Sequence, residues 1–260
     1  MEKISERYMI SYVAHIPHSP LLLPQIARHK ARQFRRMHQA VVAIRHDAYS
    51  RGCETLILLG PYPSPHSAHL LNVSPEFSAS FEPYGHFSTR ANFPGDLETA
   101  YRIRAALAPE YPIAAITKPA LEGPLGAAAL QLSSPDAPYR LLPIYAASAS
   151  PLSQLFEFGK KMRDVLECAA GKIGVVSVGD LSRARGQDRE TGRKLDQAVI
   201  ADLRADNAES LLSRDASASS LGALLPLAIV KGLLDGMALE ADILNYEQKY
   251  GVGMLVARFV

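Results

Sequence analysis

Histidine is the residue type with the most informative distribution in this chain. All eight histidines lie between His15 and His86. Two of them fall in the segment His15-Ile16-Pro17-His18-Ser19-Pro20, directly after an apolar run typical of a first β-strand. Imidazole is a common ligand of transition metals and a common acid or base near neutral pH. Any metal site or acid–base site that needs histidine must therefore be built from the N-terminal third.

The segment that carries His15 and His18 is rich in proline, with Pro17 and Pro20 beside the second histidine. Proline restricts the backbone, which suits a loop that must hold a side chain in one direction. Two histidines need at least one more donor, usually a carboxylate, to complete a facial Fe(II) site. Two structural histidines that hydrogen-bond within a loop are the alternative.

Four more polar residues stand where predicted strands end. Tyr62 lies in the turn after the second strand, and His66 follows Pro65 in the same loop. Glu122 precedes a short helix rich in small residues, and Asp180 stands in a Gly-Asp-Leu-Ser segment. The two carboxylates are candidates for proton transfer, but Glu122 could instead cap its helix and Asp180 could accept hydrogen bonds from nearby backbone. His66 either faces the same crevice or decorates an exposed loop.

Composition limits the classes of protein that this chain can represent. It has 260 residues, of which 48% are hydrophobic, a formal net charge of +2 and two cysteines. This is enough to bury a sizeable core, and no composition shift marks a boundary, so we expect one domain over residues 1–260. The near-neutral charge argues against a nucleic-acid-binding protein. Without a signal peptide, a long apolar run or a disulfide framework, we expect a soluble cytoplasmic protein with no membrane contact.

One local exception to the charge balance is a run of cations near the start of the predicted helix Pro24–Ser50. Its members are Arg28, Lys30, Arg32, Arg35 and Arg36. A solvated helix face is the simpler interpretation, and a surface that binds an anion or a partner is the other.

Short β-type runs alternate with helical ones along the chain. The predicted strands include Tyr8–Ala14, Thr55–Leu59, Ile113–Thr117, Arg140–Ala146 and Lys172–Val178, and the chain closes with an antiparallel pair around Gly251. This order predicts an α/β fold with a central, largely parallel sheet between helical layers. In such sheets ligands bind beyond the carboxyl ends of the strands. Because His18, Tyr62, Glu122 and Asp180 each follow a predicted strand, we expect one common site.

Several motifs together resemble the LigB-type class III extradiol dioxygenases, whose relatives include the Memo-like proteins. The matching segments are His-Ile-Pro-His-Ser-Pro-Leu-Leu-Leu-Pro (15–24), Leu-Ile-Leu-Leu-Gly-Pro-Tyr (56–62), Leu-Glu-Gly-Pro-Leu (121–125), Val-Ser-Val-Gly-Asp-Leu-Ser-Arg (176–183) and Asn-Tyr-Glu-Gln-Lys-Tyr-Gly-Val-Gly-Met-Leu-Val-Ala-Arg-Phe (245–259). They span most of the chain in the family's order. The resemblance implies a three-layer αβα sandwich with a mostly parallel, mixed sheet, often as a homodimer.

Active members of that family hold Fe(II) with two histidines and a glutamate and open a catechol ring with O₂. The first histidine ligand matches His18. Tyr62 stands in the register of the second, although a Ser-Pro-His occurs four residues later and ends in His66. The glutamate ligand normally opens a late helix, where this chain has Ser219, Ser220 and Leu221.

The acid–base positions of the family also differ. Glu122 replaces the histidine of an Asp-His-Gly motif, and Arg183 replaces the last residue of Gly-Asp-Leu-Ser-His. The resemblance therefore implies that Glu122, Asp180, Arg183 and Tyr62 occupy the catalytic positions. Since these two replacements have opposite charge, we expect an ion pair close to the ancestral iron position.

Three hypotheses follow. The first is a degenerate extradiol dioxygenase with impaired or lost metal binding, whose crevice binds a small aromatic or acidic molecule beside His18, Tyr62 and Arg183. The second is an active metalloenzyme whose iron site is rebuilt from His18 with His15 or His66, and with Glu122 as the carboxylate. The third is a Memo-like, non-catalytic interaction protein that uses its basic helix start.

Overall fold

The computed structural model describes residues 10–121, 123–133, 139–169, 171–183, 188–214 and 222–260. The strands are β1 (Ile10–Ile16), β2 (Thr55–Gly60), β3 (His69–Asn72), β4 (Glu76–Phe81), β5 (His86–Pro94), β6 (Ile113–Ile116), β7 (Arg140–Tyr145), β8 (Ile173–Val178), β9 (Ala241–Lys249) and β10 (Val252–Phe259). The α-helices are α1 (Pro24–Ala27), α2 (Arg35–Ser50), α3 (Leu97–Leu107), α4 (Gly123–Leu132), α5 (Leu152–Leu166), α6 (Arg189–Arg204), α7 (Ala208–Leu212) and α8 (Leu224–Leu233). Among the described residues, no helix is both long and apolar enough to cross a bilayer.

The central sheet has eight strands in the order β6-β3-β7-β2-β8-β1-β10-β9. Strands β7, β2, β8 and β1 are mutually parallel, so their carboxyl ends share one edge. Strand β3 runs antiparallel to β7 and β10 runs antiparallel to β1, which makes the sheet mixed. The fully buried strand β2, Thr-Leu-Ile-Leu-Leu-Gly, shows the near-continuous apolar run expected of a strand covered on both faces.

Helices cover both faces of this sheet. One apolar core packs α3, α5, α6, α7 and α8 against one face, and a second packs α2 and α4 against the other. The protein is therefore an α/β protein with three layers, as expected. The apolar stripe of α2 is confirmed, since Met37, Val41, Ile44 and Ala48 are all buried.

The structure corrects three local expectations and decides a fourth. Strand β1 extends to Ile16, so His15 lies within the strand rather than in the following loop. The expected helix Pro24–Ser50 is interrupted by a 3₁₀ segment over Arg28–Phe34. The segments Ala68–Val73 and Glu76–Phe81 were expected as a hairpin or as two strands, and they are two strands in different sheets, since Glu76–Phe81 forms a separate hairpin with β5.

The third correction concerns β6, which pairs parallel to β3 and therefore runs opposite to β7, β2, β8 and β1. Its carboxyl end lies at the other edge of the sheet, so the strand-end argument for Glu122 is wrong. The chain returns past β4, where Ala120 bridges Ser78, before α4 begins.

Candidate functional site

The candidate site lies where β1 and β8 end. The two strands are parallel neighbours, with Ile16 opposite Val178, and the amide of Gly179 donates to the carbonyl of Ile16 at 3.0 Å. A Cβ atom at Gly179 would lie 2.8 Å from Cα of Ala223, so only glycine lets the loop pass this close. The next residue, Asp180, therefore lies against the loop that carries His18.

Asp180 is the centre of the site. It is buried, with 3% exposure, and its Oδ1 accepts a hydrogen bond from the backbone amide of His18 at 3.2 Å. Its Oδ2 lies 3.2 Å from Nε2 of His18 and accepts from Nη2 of Arg183 at 3.2 Å. A buried carboxylate needs such donors to offset its lost hydration. Asp180 thus holds His18 and Arg183 together.

Arg183 contacts His18 directly, since its Nη2 also donates to Nε2 of the imidazole. In the contact with the guanidinium Nε2 accepts, because a guanidinium has no acceptor and stays charged, whereas in the contact with Oδ2 of Asp180 at 3.2 Å the same nitrogen would have to donate. Burial lowers the pKa of His18; Asp180 opposes this shift and Arg183 adds to it. The site therefore combines a neutral imidazole, a carboxylate and a fixed cation.

A second set of contacts holds the loop over Gly179–Arg183 in place. Ser182 donates its amide to Oδ1 of Asp196 at 2.7 Å and its hydroxyl to Oδ2 at 2.9 Å. Tyr246 of β9 donates its hydroxyl to the same Oδ2 at 2.8 Å. Asp196, on α6, has no exposed surface, and burial raises its pKa although these hydrogen bonds oppose the shift. This carboxylate therefore fixes the residue immediately before Arg183.

A cavity of about 390 Å³ opens beside this triad, and we call it the triad cavity. Its lining residues are His18, Ser19, Pro20, Leu21, Phe34, Tyr84, Pro124, Asp180, Arg183, Lys249, Tyr250, Val252 and Met254. One part of the wall is charged and another is aromatic or aliphatic. This volume and mixture are typical of a site for a small organic ligand.

Four aromatic or cationic residues of this wall were not predicted, namely Phe34, Tyr84, Lys249 and Tyr250. Lys249 and Tyr250 lie at the hairpin turn between β9 and β10, and Phe34 precedes α2. The Lys249 ammonium lies over the Phe34 ring, 5.2 Å from its centroid, while Tyr250 has a φ of 54°. The sequence signal that could have found Lys249 and Tyr250 is Gly251 between two strand-like runs, because a glycine at that place indicates the turn of a hairpin.

His15 does not belong to the lining. It is fully buried in β1, where its Nδ1 lies 2.8 Å from the hydroxyl of Ser177 on β8. Burial lowers its pKa to about 3, so the ring is neutral at physiological pH. His15 therefore lies in the sheet interior and does not line the triad cavity, although it is close enough to His18 for the two imidazoles to interact electrostatically.

Tyr62 and His66 form a different cluster. The Tyr62 ring packs edge-on against His66 and Tyr145, with centroids 5.5 and 4.9 Å apart. The backbone amide of His66 donates to the hydroxyl of Ser148, which follows β7. Tyr62 follows β2 and packs toward Tyr145 at the end of β7, whereas the residues of the triad follow β1 and β8. The expected single site is thus divided, and neither Tyr62 nor His66 lines the triad cavity.

Glu122, like Ser219, Ser220 and Leu221, lies outside the described residues. Its neighbour Pro124, at the start of α4, does line the triad cavity. The expected ion pair between Glu122 and Arg183 and the carboxylate of the rebuilt metal site therefore stay predictions.

The described residues do not fit the Fe(II) that the resemblance implies. In the part of the chain that the structure describes, no three His, Cys, Asp or Glu side chains come close enough to hold a metal ion. In addition, Nε2 of His18 already contacts a guanidinium. A metal ion on that nitrogen would have to displace a permanent positive charge.

Comparisons with known proteins support the fold. No family model matches the chain. Protein CA_C1420 of Clostridium acetobutylicum is 22% identical over 258 residues, covering 92% of this chain and 55% of that protein. The chain therefore spans about half the length of this relative. The crystal structure of the uncharacterized protein JW3007 from Escherichia coli K12 has a TM-score of 0.65 at 15% identity and covers 96% of this chain and 100% of that chain. At this identity the likeness shows a common fold alone.

Proposed function

We propose that this chain is a LigB-type member of the class III extradiol dioxygenase superfamily that binds a small aromatic carboxylate in the triad cavity. The observation that carries the proposal is the position of Arg183, whose guanidinium contacts Nε2 of His18 and the carboxylate of Asp180. In this proposal the cation stands where active relatives place iron.

The charge of the cavity favours an anionic ligand. Arg183 is half exposed, with 54% of its side chain accessible, so it can meet a ligand as well as Asp180. Lys249 adds a second cation, although Glu247 lies 2.6 Å from its ammonium. Asp180 is the one carboxylate among the described lining residues, and His18 is neutral. Guanidinium and carboxylate form strong charge-assisted hydrogen bonds, so a carboxylate is the expected group.

The other wall favours a ring. Tyr84 and Tyr250 contribute exposed aromatic side chains, and the buried Phe34 and Met254 complete the apolar part of the lining. Aromatic pairs in offset or edge-to-face geometry add stability beyond their buried area. A flat ligand with a carboxylate on one edge would satisfy both walls. We derive no ring-opening step, because the described residues do not fit the iron that activates O₂ in this superfamily.

Calorimetric titration with three small molecules tests the ligand class. Benzoate has a ring and a carboxylate, catechol has only a ring with hydroxyls, and acetate has only the carboxylate. We expect benzoate to bind most tightly and the Arg183→Gln variant to weaken it by roughly 10- to 100-fold, since a hydrogen bond between charged groups contributes about 1.5–3 kcal/mol. Lys194→Gln, an exposed change on α6, is the matched control. No benzoate binding, or equal binding by the Arg183→Gln variant, would refute the proposal.

Elemental analysis after anaerobic incubation with Fe(II) and desalting separates this proposal from the rebuilt metalloenzyme. We expect no stoichiometric iron. About one equivalent of bound iron that is lost in His18→Ala would contradict the proposal and support a site with His18, His15 or His66, and Glu122.

A further inference from the structure

A second cavity lies on the other side of Leu21 and Phe34, and it is not part of the triad cavity. Its volume is about 240 Å³. Five of its lining residues are apolar and three carry basic side chains: Leu21, Leu22, Pro24, Ala31, Phe34, Arg32, Arg35 and His38. We call it the basic pocket. Nδ1 of His38 lies 3.1 Å from the carbonyl of Leu22, so this contact joins two lining residues, one in the first half of α2 and one in the 3₁₀ turn Pro20–Leu22.

The cations around the basic pocket have no acidic partners. Elsewhere on the surface, Arg102, Arg140 and Arg258 each lie against a carboxylate. In contrast, no carboxylate in the described part of the chain is within salt-bridge distance of the five cations of the 3₁₀ segment and the first turn of α2. These five are Arg28, Lys30, Arg32, Arg35 and Arg36. All but the half-buried Lys30 are exposed. An uncompensated cluster of this kind attracts an external anionic group.

A break in the backbone at Arg28 determines where these cations lie. Arg28 ends α1 with a φ of 51°, in a region that non-glycine residues rarely adopt. The break prevents α1 from continuing into α2 as one helix, and the 3₁₀ segment that follows brings Ala31 and Arg32 to the wall of the pocket. An uninterrupted helix over Pro24–Ser50 would have placed the cations on a simple solvated face.

The shape of the surface distinguishes among anionic partners. The structure describes every residue from Pro20 to His38, and none of these is an exposed large hydrophobic side chain, although the exposed Tyr250 lies beside this segment, with its ring centroid 5.5 Å from the Lys30 ammonium. A membrane-binding surface projects apolar side chains into the bilayer, whereas this surface has an apolar recess. Binding to a nucleic-acid backbone depends on phosphate contacts and would make no use of such a recess. An acidic peptide with one apolar side chain satisfies both the cations and the pocket.

We propose that the basic pocket binds an acidic linear segment of a partner protein, with one apolar side chain of that segment in the recess and its carboxylates on the surrounding arginines. The proposal concerns a protein–protein contact and does not depend on the ligand of the triad cavity. The two cavities share the side chains of Leu21 and Phe34, so the partner segment would lie next to the mouth of the triad cavity.

Fluorescence anisotropy with short labelled peptides tests this proposal on the full chain. The main probe is a run of glutamates with a single central phenylalanine. One control peptide has alanine at the centre and another has lysines in place of the glutamates. We expect the main probe to bind, the alanine peptide to bind about tenfold more weakly or worse, and the lysine peptide not to bind. The tenfold expectation follows from the transfer energy of one buried aromatic side chain.

Two charge-reversed proteins locate the site. Arg32→Glu combined with Arg35→Glu should abolish peptide binding, and its benzoate affinity should equal that of the wild type because neither residue lines the triad cavity. Arg104→Glu combined with Arg204→Glu makes the same charge change at exposed positions on α3 and α6 and should bind the peptide normally. Ala31→Phe, which fills the recess and keeps every cation, should weaken the main probe toward the affinity of the alanine peptide.

Three results would overturn the proposal. The first is absence of binding by the main probe. The second is equal binding by the glutamate peptides with phenylalanine and with alanine. The third is binding of duplex DNA or anionic phospholipid vesicles as tight as that of the main probe and equally dependent on Arg32 and Arg35, which would identify a general polyanion surface.

Discussion

Two substitutions of Asp196 test whether its hydrogen bonds hold the loop of residues Gly179–Arg183 in place. Asp196→Ala removes the acceptor for the Ser182 amide, the Ser182 hydroxyl and the Tyr246 hydroxyl, at 2.7, 2.9 and 2.8 Å. Ser182 is 1% exposed, so its amide cannot turn to water. A buried donor without a partner costs about 1–3 kcal/mol. Adding a smaller contribution from the hydroxyl groups, we expect a loss of about 2–4 kcal/mol in the free energy of unfolding.

Asp196→Asn should cost much less. The asparagine Oδ1 can accept from the Ser182 amide, and its Nδ2 can donate to the Ser182 and Tyr246 hydroxyls, which both donate and accept. The change also removes a carboxylate whose charged form is disfavoured by burial. The net loss should therefore be about 1 kcal/mol, the size of a typical hydrogen-bond contribution.

Urea denaturation followed by circular dichroism measures both losses from the transition midpoints, provided that the slopes stay equal. Benzoate titration of the same proteins reports on Arg183, which follows the fixed Ser182. We expect Asp196→Ala to weaken benzoate binding and Asp196→Asn to preserve it. If the two variants are equally unstable, or if Asp196→Ala is within about 0.5 kcal/mol of the wild type, the reasoning about the buried donors is wrong.

Two further predictions concern other buried contacts. Burial would raise the pKa of Asp96, but hydrogen bonds from Thr55 and Thr99 outweigh burial and lower this pKa. The ionised Asp96 therefore stabilises the fold above the unfolded pKa of about 3.9, and this stabilisation is lost as pH falls through the folded pKa. Asp96→Asn should therefore cost about 1 kcal/mol at pH 7 and progressively less in denaturation series below about pH 4, whereas a constant difference would contradict the assignment. On α5, a Cβ atom at Gly159 would lie 2.0 Å from the carbonyl oxygen of Ile229 on α8. Gly159→Ala should lower stability by roughly 1–3 kcal/mol in urea despite the better helix propensity of alanine, and a stabilised variant would show that the helices can separate freely.

Part of the site could be predicted because local sequence determines it. Strands β1 and β8 are short apolar runs, and the residues after them, His18 and Asp180, fall at one edge because the strands are parallel neighbours. The prediction for Arg183 came from the resemblance alone, and the structure places it in the same cavity. The failure with Tyr62 and His66 has a topological cause. Strand β2, which Tyr62 follows, is a direct neighbour of β8, but the loop after β2 turns toward β7, where Tyr62 packs against Tyr145, and the sequence does not indicate the direction in which a loop leaves its strand.

The direction of a strand is a second property that local sequence does not contain. Ile113–Ile116 has the same apolar character in either orientation, and only its pairing with β3 turns its carboxyl end away from the site. The break at Arg28 is similar, because the apolar stripe of Met37, Val41 and Ile44 continues the helical pattern of the preceding residues. No residue type in the sequence indicates either the direction of β6 or the break at Arg28.

The α/β class and the main strands could be predicted from the amino-acid sequence, because periodicity and residue type act over a few neighbouring positions. Which polar side chains come into contact depends on the packing of the whole chain. The guanidinium of Arg183 contacts His18, and His15 is buried in the sheet. Tyr62 lies in a separate cluster, and Lys249 and Tyr250, from near the C-terminal end of the sequence, line the triad cavity. These contacts depend on strand order and loop path, which result from packing over the whole chain.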